Sequence, residues 1–408
     1  MKKKWNKLPR SSKVAATFGI VTTLALFATG IQIAITKSNR PTDRAQAVTT
    51  PGAAGAHTIK PQGEPPPTPA PGKAKPIFAM YYMWWDRNHW LTHLGPNYPM
   101  TAAPNPLPAT LDASSCSTQN NYAGNRLTDV SQGLTYDQSN PQTIGDDVSL
   151  AEASGLNGFA VNWIGDGTAM QNVNSSNYNK RLADMFAAVH KLKAAGKGFK
   201  LILNYQSSAK ALTMAQFTND LNYFKSTYGN DPALDHTYST RPEVIMAGTW
   251  KYSDADLATI SNNFRTKMYL IGDEKPSSWN AARASDLDGT SYYWSSQNPY
   301  ANAAAFSTLS SFAATVRATR NPDGTAKTWF SPFTPGYNAA LLYNTPTCVP
   351  RNGSATLHRL FDGNLASNPD GWTLISWNEI SEGSYIVPLT RYGTAYTDDL
   401  RSIVLTNK

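Results

Sequence analysis

Between Pro76 and Lys408 the chain alternates eight short apolar runs with longer segments of helical periodicity, and this alternation restricts its fold more than any other feature. The runs span 77–83, 158–163, 199–204, 243–247, 268–271, 290–294, 328–331 and 372–377. They are rich in Val, Ile, Phe, Tyr and Trp and bounded by Gly, Pro or Asp, as strands are. Segments 145–153, 178–195, 214–228, 255–264, 301–318 and 357–365 place apolar residues three and four apart. Strands that alternate with helices pair in parallel through crossovers. Eight such units predict a (β/α)8 TIM barrel, for which the 333 residues after Lys75 are ample, since the fold needs about 250. An open doubly wound sheet is the alternative. The weakest unit is 275–285, a poor helix.

A barrel of this kind carries its chemistry where the strands end. On that face the first strand would set Tyr82, Trp84, Trp85 and Asp86, and the second Asn162, Trp163 and Asp166. The third adds Asn204, Tyr205 and Gln206, the fourth Thr249 and Trp250, and the fifth Asp273 and Glu274. Trp294 and Ser295 follow the sixth, Phe333 and Tyr337 the seventh, and Trp377, Asn378, Glu379 and Glu382 the eighth. Ten of the 11 tryptophans lie after residue 75, most at or just past these strands. Aromatic faces suit the C–H faces of sugars, while Asn and carboxylates suit hydroxyls. The bland alternative for each ring is core packing. Glu379 and Glu382 stand three residues apart at one strand end. One such carboxyl can protonate a departing glycosidic oxygen while the other acts as base or nucleophile; otherwise both are solvated loop charges. Asp273 and Glu274 are the reserve pair.

The net charge of +8 points to nucleic acid until it is located. Residues 1–75 hold 12 of the 36 Lys+Arg and 2 of the 28 Asp+Glu, leaving 24 basic and 26 acidic groups for the rest. A nearly neutral barrel offers no electrostatic footprint for DNA or RNA. In the tail, Lys2, Lys3, Lys4, Lys7, Arg10 and Lys13 precede a 22-residue apolar run over 14–35. That length spans a bilayer as a helix, and the flanking cations keep its N-terminal side cytoplasmic. Residues 1–37 thus read as a basic stub and signal-anchor, with a cleaved signal peptide as the alternative. Either exports the barrel, anchored at the membrane or secreted. Residues 38–75, with Pro65-Pro66-Pro67, form a Pro/Ala/Thr-rich spacer that cannot bury apolar surface. The catalytic domain would be 76–408.

Cys116 and Cys348 are the only cysteines, and in an exported chain the pair suggests a disulfide, with two separate thiols as the alternative. No metal or cofactor is expected. His89 and His93 have a zinc-like spacing but lack the intervening Glu. Asp286-Leu287-Asp288-Gly289 begins like a calcium loop and does not continue as one. The oligomeric state is left open.

The segment Trp377-Asn378-Glu379-Ile380-Ser381-Glu382-Gly383-Ser384-Tyr385-Ile386, followed by Tyr392-Gly393, resembles the motif that ends the barrel in endo-α-mannosidases and in α-1,3-glucanases (glycoside hydrolase families 99 and 71) and their bacterial relatives. Phe78-Ala79-Met80-Tyr81-Tyr82, the segment from Asp147 to Phe159 and Trp329-Phe330-Ser331-Pro332 are similar to that group as well. The resemblance implies a barrel that cleaves internal α-glycosidic bonds without a metal. It further implies Glu382 as general acid/base and Glu379 as the carboxylate assisting attack. Glu at the first position matches the mannosidases, where the glucanases usually have Asp, while the middle of the chain looks more glucanase-like. The expected activity is endo-α-1,3-glucanase-like, with an endo-α-mannosidase and a non-catalytic glycan-binding barrel as alternatives.

Overall fold

The computed structural model describes residues 75–87, 89, 116, 136–165, 175–206, 213–302, 304–338, 347–389 and 392–406. The expected anchor and linker, except Lys75, lie outside the described residues, as do Asp166 and His93. Among the described residues no helix is long and apolar enough to cross a membrane.

The strands are β1 (Ile77–Tyr82), β2 (Gly158–Trp163), β3 (Lys200–Tyr205), β4 (Glu243–Met246), β5 (Tyr269–Gly272), β6 (Gly289–Ser291) and β7 (Thr328–Phe333). A short antiparallel pair follows, β8 (Tyr337–Asn338) with β9 (Cys348–Val349), and then β10 (Gly371–Leu374). All strands except β8 and β9 form one closed parallel barrel, in which β1 pairs with both β2 and β10. Closure excludes the open sheet. Each expected strand is present to within a few residues. The last is shorter than its apolar run because the chain turns away after Leu374.

The helices are α1 (Pro141–Ala153), α2 (Ser175–Ala194), α3 (Met214–Tyr228), α4 (Asp254–Phe264), α5 (Ala281–Asp286), α6 (Ala305–Arg317), α7 (Ala355–Asn364) and α8 (Ala395–Thr406). Caps set their starts. Asn140 accepts from the Gln142 N–H with Pro141 in the first turn, so α1 begins earlier than its apolar periodicity. Thr213 and Gln216 form a capping box on α3. The weak unit yields only the short α5. The sequence reading passed over α8, although Tyr396, Leu400 and Ile403 give it a buried face.

Alternation along each strand sorts side chains between two layers. Phe78, Met80, Ala160, Ile202, Ile245, Ile271, Phe330 and Ile375 fill the barrel. The opposite faces pack under the helices, where Trp85, Trp163, Trp329, Trp372 and Trp377 are fully buried. Polar groups enter the barrel interior towards its ends. Tyr82, Asn162 and Asn204 stand in one register row at the C-terminal end. Glu243 opens β4 at the other end, paired in register with Tyr269.

Glu243 is fully buried and accepts the Tyr238 N–H at 2.9 Å. Burial, and then the neighbouring Asp235, push its carboxyl from 4.5 up to about 9. The native state therefore holds a proton that the unfolded chain releases. That contribution is complete below about pH 4.5 and is lost as pH rises towards 9. Glu243→Gln supplies a neutral group of the same shape. Thermal unfolding from pH 5 to 9 is expected to show a clearly flatter fall of Tm for E243Q than for the native protein. Parallel curves would mean that Glu243 folds in its charged form.

Candidate active site

Past Leu374 the chain doubles back. The Ser376 N–H donates to the Ser384 carbonyl at 2.7 Å, and the Ile386 and Val387 N–H groups donate to Trp377 O at 3.0 and 2.8 Å. The closed loop carries Glu379–Gly383 at its tip. Gly383 has φ +61°, a left-handed conformation that glycine adopts without strain. The Glu379 N–H donates to Ser376 Oγ at 2.7 Å.

Two side chains lock this loop to the barrel. Asn378 accepts the Tyr82 N–H at 2.7 Å and donates to Tyr82 O at 2.8 Å, holding the end of β1 beside the end of β10. Buried Arg351 donates to Gly383 O at 2.9 Å and Tyr385 O at 2.6 Å. Its guanidinium lies 4.9, 4.3 and 4.4 Å from the ring centroids of Tyr385, Tyr392 and Tyr396, so cation–π contacts offset part of its desolvation.

Glu379 is 3% exposed and Glu382 6%, which rules out a pair of solvated loop charges. Burial first, and then the Glu382 carboxylate, raise the Glu379 carboxyl well above its ordinary range, while the Ser381 hydroxyl, donating to Glu379 Oε1, opposes the rise. Two carboxylates in one dry site cannot both ionise freely, which raises the proton affinity of the pair.

Three phenols share this field. The Tyr82 and Tyr293 hydroxyls are 2.9 Å apart. Burial and then the nearby anions, Glu379 and Glu382 among them, raise both far above the usual phenol value, and they raise Tyr337 too. All three stay neutral as hydrogen-bonding groups. Buried Asp273 accepts the Gly248 N–H at 2.8 Å and the Tyr293 N–H at 3.0 Å, which fixes Tyr293, and burial pushes its carboxyl up to about 6. Asn162 Nδ2 donates to Gln206 Oε1 at 2.7 Å and Asn204 Nδ2 to Met80 Sδ at 3.4 Å. Their Oδ1 atoms are buried without a hydrogen-bond partner. Half-buried Trp84 packs on Tyr82, with ring centroids 4.5 Å apart.

Other expected site residues have structural work. Trp163 packs among Tyr205, Tyr223 and Phe224 and donates to Asn179 Oδ1 at 2.9 Å, in the layer between sheet and helices. Trp377 packs on Phe159 in the same layer. Trp85 is fully buried and donates to Asn378 O at 2.7 Å. Strand alternation sends Trp163 outward, and the turns after β1 and β10 bury Trp85 and Trp377. Glu274 is held by Arg283 at 2.7 Å and by the Ser278 hydroxyl, so it is no reserve acid. Asp86 pairs with buried Arg181 and accepts the His89 N–H at 2.7 Å. Trp294 stacks on Tyr292 towards Phe312 of α6, and Tyr293, which the sequence reading missed, takes the inward position. Alternation along 292–294 was the signal that could have found it. Trp250 is covered by Lys275, whose Nζ is 3.3 Å from the ring centroid. Cys116 and Cys348 are joined in a disulfide, with Cα atoms 5.7 Å apart. The bridge ties residue 116 to the strand pair that carries Tyr337. Among the described residues no cluster of His, Cys, Asp and Glu is arranged to hold a metal ion.

No family model matches the sequence, and no curated protein matches it. Solved structures do match the fold. Two structures of a GH99 endo-alpha-mannosidase from Bacteroides thetaiotaomicron, one in complex with BIS-TRIS-Propane, superimpose with TM-scores of 0.58 at 16% and 15% identity. Both comparisons cover 81% of this chain and 97% of that one. A glycoside hydrolase-like protein gives 0.59 at 13% identity, over 83% of this chain and 96% of its own. The chain thus shares the barrel architecture of glycoside hydrolases of the endo-α-mannosidase type.

Replacing Arg351 by Ala strips two buried carbonyls of their donor and empties an aromatic cage. A loss of about 3 kcal/mol is expected from such a deletion. Chemical denaturation of R351A should show it, whereas a loss below about 0.5 kcal/mol, the size usual for a surface substitution, would mean that the loop does not depend on this clamp.

Proposed function

We propose that this chain is a glycoside hydrolase cleaving internal α-glycosidic bonds of a polysaccharide. Glu382 is the general acid and Glu379 the base or nucleophile-assisting carboxylate. The observation that carries this reading is the burial of both carboxyls in one site at the C-terminal end of the barrel, where burial and the Glu382 charge raise the proton affinity of Glu379. The pairing rests on that chemistry, and the division of roles within the pair rests on the family resemblance. Acid catalysis at neutral pH needs a carboxyl that has kept its proton. A barrel that merely binds glycan has no use for a desolvated acid pair.

The lining suits a sugar. Buried carbonyl oxygens at Asn162 and Asn204 lack donors, and sugar hydroxyls would supply them. Neutral Tyr82, Tyr293 and Tyr337 offer further hydroxyls, and Trp84 offers a ring at the mouth. The substrate first in line is α-1,3-glucan, on the character of the middle of the chain. α-Mannan is the second reading, favoured by the fold likeness to endo-alpha-mannosidase structures and by Glu at position 379. The apolar run over 14–35 would anchor the barrel outside the cytoplasm, or be cleaved to release it.

Incubation with α-1,3-glucan, α-mannan and starch separates these readings. Oligosaccharides are expected from α-1,3-glucan; release from mannan alone would move the substrate to the second reading, and no release from any of them would remove the enzyme. Within an active pair, Glu382→Gln should cut turnover of natural glycan by about 10²- to 10⁴-fold yet spare substrates with very good leaving groups. Glu379→Gln should impair both. Because the acid works protonated, turnover should fall as pH rises through the raised value of the pair. Normal turnover of natural glycan by both variants would place the chemistry elsewhere.

Asn204→Ala should raise KM about tenfold, the worth of one buried hydrogen bond. An unchanged KM and kcat would show that no hydroxyl meets Asn204.

A further inference from the structure

The hydrogen bonds that hold Asn378, the residue before Glu379, begin outside the barrel. Asp147 lies on α1, on the face turned towards the barrel wall, and is buried. Its Oδ2 accepts the Tyr81 hydroxyl at 2.8 Å and the Tyr136 hydroxyl as well. Tyr81 is an outward-facing residue of β1. The Tyr136 oxygen in turn accepts Asn378 Nδ2 at 3.0 Å. Asn378 grips both backbone polar groups of Tyr82 and directly precedes Glu379. Gln138 reinforces the junction, donating to Tyr82 O at 2.7 Å and accepting the Trp85 N–H at 3.0 Å.

We propose that Asp147 and Tyr136 form a positioning relay that fixes Asn378, and through it the Glu379 carboxyl and the Tyr82 ring, from behind the barrel wall. The role of Glu379 in catalysis rests on the function proposed above; the mechanical coupling does not. A carboxyl oxygen accepts from two donors at once, and most strongly when the group is ionised. Here one carboxylate oxygen orients two phenols. The Tyr136 proton points at Asp147, so its lone pairs are left for Asn378. The amide of Asn378 is then fixed with its oxygen towards the Tyr82 N–H and its nitrogen towards the Tyr82 carbonyl. Without Asp147 the Tyr136 proton could turn towards Asn378, donor against donor, and the clamp on β1 would loosen.

The groups around Asp147 are Tyr81 of β1, Tyr136, Asp146 of α1 and the Trp377 indole from the loop after β10. Burial lifts its carboxyl to about 7, against the pull of the two phenols and the indole. Asparagine in its place can still present an oxygen to both phenols; alanine cannot.

This difference makes the relay testable without a substrate. Hydrogen–deuterium exchange of the full chain, read on peptides covering 376–387, is expected to quicken severalfold in Asp147→Ala and in Tyr136→Phe, and to stay within twofold of the native rate in Asp147→Asn. Strands β3 to β6 should exchange unchanged, which separates loosening of the loop from general destabilisation. On any glycan that the native protein cleaves, D147A and Y136F should each lower kcat about tenfold with little change in KM. The double variant should lose no more than either alone, as members of one chain do. Unchanged exchange over 376–387 in both single variants, or losses that add in the double variant, would overturn the relay. Loosened exchange in a protein that cleaves no α-glycan would keep the relay and remove the proposed function.

Discussion

Two carboxylic acids buried against each other are the costliest feature of this chain, and much of the upper barrel serves to hold them. Desolvation alone would expel either group to solvent or keep it neutral. The structure keeps Glu379 inside by spending a neutral hydrogen bond on its carboxyl and a cation on the loop that bears the pair. Ser381 donates to the Glu379 carboxyl, and Ser376 accepts the Glu379 N–H. Arg351 acts on the backbone of Gly383 and Tyr385, so its charge fixes the geometry of the loop.

The barrel register turns this local arrangement into a site. Because β1, β2 and β3 pair in register, Tyr82, Asn162 and Asn204 come level, and the closing of β1 on β10 brings that row beneath the loop of Glu379. Asp273 completes the opposite wall by holding Tyr293 against Tyr82. None of these residues is near Glu379 in sequence. Their convergence follows from strand ends meeting on one rim, the property that makes parallel barrels hospitable to catalysis.

The fold was legible in the sequence because parallel strands are buried on both faces and so read as apolar runs. α3 emerged with its own boundaries, since Thr213 and Gln216 mark its start. The direction in which each polar or aromatic residue points was less legible. Trp377 is buried by the loop that doubles back after β10. Trp163 and Glu274 sit at strand ends, as expected, yet turn away from the cleft, because alternation sends neighbours to opposite faces. Tyr293 was missed for the same reason in reverse. The roles of Arg351 and Asp147 could not be read at all. They act across long sequence separations, through a backbone carbonyl and a second tyrosine, and leave no local pattern.

Burial and the Glu382 charge together raise the proton affinity of Glu379. Carbon-13 NMR of the glutamate side-chain carboxyls, titrated from pH 3 to 9 in the native protein and in Glu382→Gln, measures this directly. The account predicts that Glu379 titrates far above the ordinary carboxyl range of about 4.3 in the native protein. In E382Q its midpoint should move down, since the neighbouring charge is gone, while burial should still keep it raised. A Glu379 carboxyl that titrates near the ordinary range in both proteins would contradict the account.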